Sequence, residues 1–352
     1  MKIFEKIKRG FSNDIGIDLG TANTLVYLEG NSIVVNEPSV VAVNQKTGQV
    51  VAVGAAAKEM LGKTPGHVTA IRPIVDGGIS DFEVTEEMRS YLINRAEVGH
   101  KKLLGPRVVV GVPSGVTNVE RRAVRDATVN AGAREVHIVE EPMAAAIGIG
   151  LLINDPVGNM IVDIGGGTTD IAVISLGGIV HSKNLKIAGD KFNADIMAFL
   201  RNELKILIGE KTAENIKIAI CSFTSGDTQL EMPVRGRDLI TGLPREVIIT
   251  ETDVREAIGA SIDTLIESIK EVIEITPPEV VSDIMYRGLH LVGGGALLRG
   301  IKELLEESLK IPIHVAEDPL TAVVRGTSMI LADIEAYSDA LIKNEDELPF
   351  TR

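Results

Sequence analysis

The chain has 352 residues, 45% of them apolar, and sets 36 Lys and Arg against 49 Asp and Glu for a formal net charge of −13. That is enough material for two domains with cores of their own, and it excludes a largely disordered chain. An acidic balance with 7 Phe, 4 Tyr and no Trp supplies neither a basic groove nor a stacking platform, so nucleic acid is not an expected partner. The single cysteine, Cys221, cannot form an internal disulfide or a Cys-rich metal centre, which fits a reducing cytoplasm.

From the N-terminus, residues 1–13 place Ile3, Phe4, Ile7 and Phe11 on one stripe of a helix, with Lys2, Lys6, Lys8 and Arg9 around it. The pattern suits a small membrane-surface anchor; a terminal helix docked on its own domain accounts for it as well. Glu5, Lys6, Lys8 and Arg9 interrupt any secretory signal, and no apolar run reaches the ~18–20 residues of a membrane span. Next comes Ile15-Gly-Ile-Asp18-Leu-Gly20-Thr21-Ala22-Asn23-Thr24 and then Leu-Val-Tyr-Leu, which reads as strand, turn, strand. Residues 40–73 follow as an insertion. Val108 to Val112 reads as a strand leading through Thr117 and Glu120, a capping-box spacing, into a helix over 120–131.

The same parts then recur. Ile161-Val-Asp163-Ile-Gly165-Gly166-Gly167-Thr168-Thr169-Asp170 with Ile-Ala-Val-Ile repeats the strand, turn, strand unit, again with an Asp two residues before the first Gly. Val136-His-Ile-Val-Glu140-Glu141-Pro142 matches Ile313-His-Val-Ala-Glu317-Asp318-Pro319: an apolar strand, two carboxylates, a Pro at a helix start. A second insertion covers 191–250, a helix over 253–275 stops at Thr276-Pro277-Pro278, and a strand at 289–292 enters Gly293-Gly294-Gly295 and a helix over 297–309. Strand–helix–strand units with short connections mean parallel α/β layers, so two similar α/β domains around a cleft are expected.

Glycines in a tight turn let backbone N–H groups converge on an anion with no Cβ in the way. One such turn per domain could clasp a polyphosphate, and the leading carboxylates Asp18 and Asp163 would then hold Mg2+, mostly through water. No Walker-type phosphate loop is present, and the triple glycine lacks the acidic partner of a dinucleotide fold. It suits instead the close approach of a flat ring, as in an adenine pocket.

Asp18-Leu-Gly-Thr-Ala-Asn-Thr, Val35-Asn-Glu-Pro-Ser39, Glu140-Glu-Pro-Met-Ala-Ala-Ala-Ile-Gly, Asp163-Ile-Gly-Gly-Gly-Thr-Thr, Gly209-Glu-Lys-Thr-Ala-Glu-Asn-Ile-Lys217 and Leu291-Val-Gly-Gly-Gly-Ala-Leu-Leu-Arg-Gly300 closely resemble the MreB family of bacterial actins, over about residues 13–335. The resemblance implies an actin-like ATPase fold: two duplicated ribonuclease-H-like α/β domains, four subdomains in all, around a nucleotide cleft. Domain I would take 14–155 and 322–340, with an insertion at about 40–75; domain II would take 156–321, with an insertion at about 191–252; residues 341–352 would be a flexible tail, and the chain from Tyr337 on has no clear counterpart in the family.

It further implies a slow ATPase in a cytoskeletal role. Such a protein polymerises head to tail into paired filaments on the inner face of the cytoplasmic membrane, and with the cell-wall elongation machinery it directs rod shape. Gly20, Thr21, Ala22 and Asn23 would hold phosphates from domain I, and Gly165, Gly166, Gly167 and Thr168 from domain II. Glu210, Glu214 and Lys217 would serve adenine and ribose, with Gly294, Gly295, Ala296 and Leu297 closing the purine site. Read from spacing alone, Glu214 and Lys217 are an exposed helix pair. Glu141 resembles the family's water-positioning residue, with Thr168 as second holder and Glu140 as the alternative, or as a carboxylate that favours the helix start. Leu103 and Leu104, flanked by Lys101, Lys102 and Arg107, resemble the family's membrane loop, and a buried loop anchor accounts for the pair nearly as well.

Asp170 stands where a Glu is expected, and Ala219 where an acid is common. The alternatives are a paralogous MreB-like or other bacterial actin, or a monomeric ATPase or kinase of the same superfamily. A chaperone ATPase would need a further substrate-binding domain, and a kinase an acceptor pocket with an Asp base.

Overall fold

The computed structural model describes residues 13–30, 32–75, 77–96, 105–224 and 229–342. In chain order the first part comprises β1 (Ile15–Leu19), β2 (Asn23–Leu28), β3 (Ile33–Pro38), β4 (Val41–Asn44), β5 (Val50–Val53), α1 (Ala55–Met60), β6 (Val68–Ile71), β7 (Ile74–Val75), β8 (Gly78–Ile79), α2 (Phe82–Ala96), β9 (Arg107–Val112), α3 (Asn118–Asn130), β10 (Glu135–Glu140) and α4 (Glu141–Gly148). The second comprises β11 (Asn159–Ile164), β12 (Thr169–Ser175), β13 (Gly178–Leu185), α5 (Gly189–Asn202), β14 (Ile206–Leu207), α6 (Glu210–Ile220), β15 (Glu231–Asp238), β16 (Pro244–Thr250), α7 (Glu251–Ile275), α8 (Pro278–Arg287), β17 (Leu289–Val292), α9 (Ile301–Leu309), β18 (Ile313–Val315) and α10 (Ala322–Ala332). Contacts divide the chain into two compact units, Met1–Val157 with Ile174–Val180 and Thr321–Arg352, and Gly158–Val173 with His181–Leu320.

The duplication is visible in the sheets. The first runs β10-β9-β1-β2-β3 and the second β18-β17-β11-β12-β13, the same arrangement of corresponding strands. In the first, β1, β9 and β10 are parallel while β2 and β3 pair antiparallel. In the second, β11, β17 and β18 are parallel. Their near-continuous apolar sequences follow from burial on both faces: Val108, Val109 and Val110 are fully buried, and every residue of β11 is buried. The insertions carry small sheets of their own, β5-β4-β6 and β14-β15-β16.

Local signals fix several element ends. Thr117 and Glu120 form a capping box, and so do Thr250 and Asp253 at the start of α7. Three expectations need correction. The helix predicted from 297 begins at Ile301, because Gly294–Leu297 makes a 3-10 turn and Gly300, at φ +75° and tight against Thr224, breaks the run. Pro319 opens a short 3-10 turn rather than an α-helix. The chain after Tyr337 is not wholly a loose tail: the Ile342 N–H donates to Ile138 O at 2.9 Å and Ile342 packs on the core, so residues 341–342 extend the β10 edge.

Two glycines set the depth at which α4 packs against α10. A Cβ on Gly326 would stand 1.7 Å from Ala144 O, and one on Gly148 1.9 Å from Ala322 O. These are backbone atoms that cannot rotate away, so the helices must separate for any side chain. Gly326→Ala is expected to cost about 3 kcal/mol or more by overpacking. In thermal unfolding of the nucleotide-free protein this corresponds to a drop of at least about 6 °C; an unchanged midpoint would contradict the close approach.

Candidate functional site

Loops at the carboxyl ends of neighbouring parallel strands converge on one edge of a sheet, where ligands of open α/β sheets bind. In the first unit these ends lead into residues 20–22 after β1, 113–117 after β9, and Glu140 with Glu141 after β10. The turn after β1 is held through its carbonyls. Ser39, fully buried just beyond β3, donates its hydroxyl to Gly20 O at 2.6 Å and its N–H to Ala22 O at 3.0 Å, and its Oγ meets the buried Thr24 Oγ1 at 2.9 Å. A Cβ on Gly20 would stand 2.7 Å from Asn23 O, so this turn requires glycine. Thr21, buried, accepts the Gly77 N–H on Oγ1 at 3.3 Å, which leaves its hydroxyl proton to donate; Asn23 is exposed.

The carboxylates of this unit differ in surroundings. Glu141 is the first residue of α4 and only 9% exposed, while Glu140 is the N-cap, its side chain making no capping bond and its Oε2 buried without a hydrogen-bond partner. The helix-start role expected for Glu140 therefore reduces to its charge. Burial pushes the Asp18 carboxyl up to about 7.

In the second unit the ends of β11, β17 and β18 lead into residues 165–168, 293–297 and 316–319. The carbonyls of the first of these turns are again engaged: Thr168 O accepts from Gly165 N at 2.9 Å, Gly165 O from Gly189 N at 3.2 Å, and Gly166 O from Asp190 N at 2.8 Å. Gly189 and Asp190 open α5, and Lys217 on α6 donates to Gly189 O at 2.8 Å. Lys217 is thereby tied to the helix start that braces the glycine turn. Glu214, one helical turn earlier, is half-buried on the same helix, and Glu210 opens it. Gly293, at φ +78°, lies so close to Asp163 that a Cβ would come within 2.3 Å of Oδ1, and its N–H donates to Pro319 O. Gly295 packs on Ile164 in the same way, Ala296 is buried and Leu297 is 56% exposed. Arg299 ties this segment to α6 through Ala219 O at 2.7 Å, and Asp170 accepts from Asn184 Nδ2 within the sheet, away from the turn.

In each unit the expected glycine turn lies at one edge of its sheet, and in the second Lys217 is bonded to the helix start beside it. Sequence reading missed Gly189 and Asp190, which stand just before the insertion expected from 191 and open an amphipathic helix, and it gave Ser39 no role beyond a family marker.

A family model described as MreB/Mbl protein matches residues 12–339. The chain belongs to the MreB/Mbl family. It is 48% identical over 326 residues to the cell shape-determining protein Mbl of Bacillus subtilis (strain 168), covering 92% of this chain and 97% of that protein. It is likewise 48% identical to the cell shape-determining protein MreB of Escherichia coli (strain K12), covering 97% and 100%. Its fold matches the crystal structure of Spiroplasma citri MreB5 bound to ADP with a TM-score of 0.88 at 39% identity, over 92% of this chain and 97% of that one. A MamK double helical filament, 23% identical, matches with a TM-score of 0.78 over 92% of this chain and 99% of that one. The MreB/Mbl chain is therefore a bacterial actin homologue with the two-domain actin-like fold.

Ile3, Phe4, Ile7, Phe11, Leu103 and Leu104 lie outside the described residues, and among the described residues no helix is long and apolar enough to cross a membrane. Asp18 and Asp163 have the donor chemistry for magnesium, and a dication beside Asp18 would offset the cost of charging a buried carboxylate.

That cost has a sign. A carboxyl whose folded pKa is raised stabilises the fold at low pH and loses that contribution as pH rises from its unfolded value, near 4, through about 7. Asp18→Asn is expected to raise the melting temperature of the nucleotide-free protein above pH 7 by about 3 °C or more and to flatten its fall between pH 4 and 7. Parallel melting curves for the two proteins across that range would contradict the assignment.

Proposed function

We propose that this MreB/Mbl chain binds ATP with Mg2+, hydrolyses it slowly, and assembles into membrane-associated filaments that direct cell-wall elongation and rod shape. The observation that carries the reading is the pair of carbonyl-restrained glycine turns, one on each of two duplicated sheets. In this reading the amides of residues 20–23 and 165–168 face phosphate oxygens, and the Thr21 hydroxyl donates to one of them. Lys217 and Glu214 take the ribose and purine end, with Glu210 at the same helix start, and the exposed Leu297 covers a flat ring beside Gly294, Gly295 and Ala296. The nucleotide complexes of Spiroplasma citri MreB5, with ADP and with AMPPNP, support a nucleotide ligand.

Asp18 and Asp163 would hold Mg2+ through water; when bound, the ion neutralises charge that develops on the phosphates. Phosphoryl transfer to water needs an oriented nucleophile in line with the leaving oxygen and little covalent help. Glu141 orients that water, the Thr168 hydroxyl is its second holder, and Glu140 adds negative charge at the helix start. Glu141→Ala is expected to keep ATP affinity within about threefold while phosphate release falls by about a hundredfold or more. Unchanged release would remove Glu141 from the role.

Filament assembly and membrane attachment are read from the family together with residues 1–13 and Leu103-Leu104. Each apolar segment alone binds weakly, and a filament multiplies them. Pelleting with magnesium-ATP, with and without anionic liposomes and alongside phosphate release, tests the whole reading. Nucleotide-dependent pelleting that rises with liposomes is the expected result, with deletion of residues 2–11 weakening the rise. Phosphate release with no polymer under any condition would favour a monomeric ATPase of the same superfamily.

A further inference from the structure

The segment Val35-Asn-Glu-Pro-Ser39 reaches in two directions within the first unit. At one end Ser39 holds two carbonyls of the turn at 20–22, as described above. Glu37, two residues earlier and pointing to the same buried side, reaches the insertion instead: its Oε2 accepts the Ala55 N–H at 2.8 Å. Ala55 is the first residue of α1, and its N-cap is Gly54, which has no side chain to satisfy the helix's first amides. Gly54 stands at φ +70°, and a Cβ there would lie 2.3 Å from Glu37 Oε2. The cap is therefore supplied from another strand, by a carboxylate that also favours the positive end of the helix. The Gly54 N–H in turn donates to Val40 O at 2.9 Å, directly after Ser39. Arg95 pairs with Glu37 Oε1 at 2.7 Å but is 48% exposed, so the bond to Ala55, not the ion pair, is the stronger tie.

We infer that residues 37–39 form a positioning relay: Ser39 fixes the glycine turn that receives the phosphates, and Glu37 transmits the state of that turn to the start of helix Ala55–Met60 in the insertion. The inference rests on the nucleotide reading above and adds a route by which occupancy of the turn changes the stability of a distant surface. The route is a continuous set of bonds: Gly20 O and Ala22 O to Ser39, along the backbone to Glu37 and Val40, and across to Gly54 and Ala55. A bulky or apolar residue at 39 would leave Gly20 O and Thr24 Oγ1 without this partner in a buried place, which is costly.

The test is amide hydrogen exchange of residues 53–60 in the full chain, with and without magnesium-AMPPNP, combined with nucleotide titration and a melting curve for each variant. In the wild type, nucleotide is expected to slow exchange at these amides. Glu37→Ala is expected to bind nucleotide with unchanged affinity and to lose that response, and Glu37→Gln, which keeps an acceptor for the Ala55 amide, to retain it. Ser39→Ala is expected to bind about tenfold more weakly and, even at saturation, to leave exchange at 53–60 unslowed. A response of equal size in Glu37→Ala, or none in a wild type that binds nucleotide, overturns the relay and leaves the nucleotide reading standing. A wild type that binds no nucleotide overturns both.

Discussion

Backbone amides can face an anion only if the carbonyls of the same turn are held elsewhere, because an unrestrained peptide rotates and presents either group. Both glycine turns of this chain meet that condition, by different means. In the first unit a buried serine from the next strand takes the carbonyls of Gly20 and Ala22. In the second the opening residues of α5 take those of Gly165 and Gly166, while Gly165 closes the turn on Thr168. Glycine is needed at Gly20, where a Cβ would stand 2.7 Å from Asn23 O, and is favoured at Gly165, where it would stand a tight 3.1 Å from Thr168 O. Within the first unit Glu140 and Glu141 stand at the same sheet edge as its turn, and within the second Lys217 bonds the helix start that braces the other.

The two units share a plan and differ where chemistry is assigned. Both have a five-stranded sheet with a parallel trio. In the first, Glu141 is buried at the start of a true helix that packs closely through Gly148 and Gly326. In the second, the corresponding Glu317 and Asp318 are exposed, and Pro319 opens only a 3-10 turn. The second copy uses that place differently: Pro319 O accepts the N–H of Gly293, bracing the glycine segment assigned to the purine. Duplication supplied the scaffold, and burial at one of the two corresponding places is what fits Glu141, and not Glu317 or Asp318, for the water-orienting role proposed for it.

Strand and helix identities in the sheet cores were readable because fully buried parallel strands leave continuous Val and Ile runs, and capping boxes such as Thr117 with Glu120 mark helix starts. The Asp-x-Gly turns were readable for a steric reason, since few residues other than glycine fit there. Other features had no local signature. The break before Ile301 depends on Gly300 meeting Thr224, far away in sequence. The cap on Ala55 comes from Glu37, and the restraint on Gly20 from Ser39, so neither element's own residues announce it. Lys217 read as half of a surface pair because its bond to Gly189 O joins two helices whose packing the helical period does not encode.

The most direct measurement is equilibrium titration of magnesium-ATP into the wild-type chain, Gly20→Ala and Gly165→Ala, each first verified as folded by its melting curve. If two restrained turns share one nucleotide, the wild type binds one ATP per chain and each single substitution weakens binding by about tenfold or more. Equal affinity in all three proteins, or loss from one substitution only, would contradict an account in which both turns carry the phosphates.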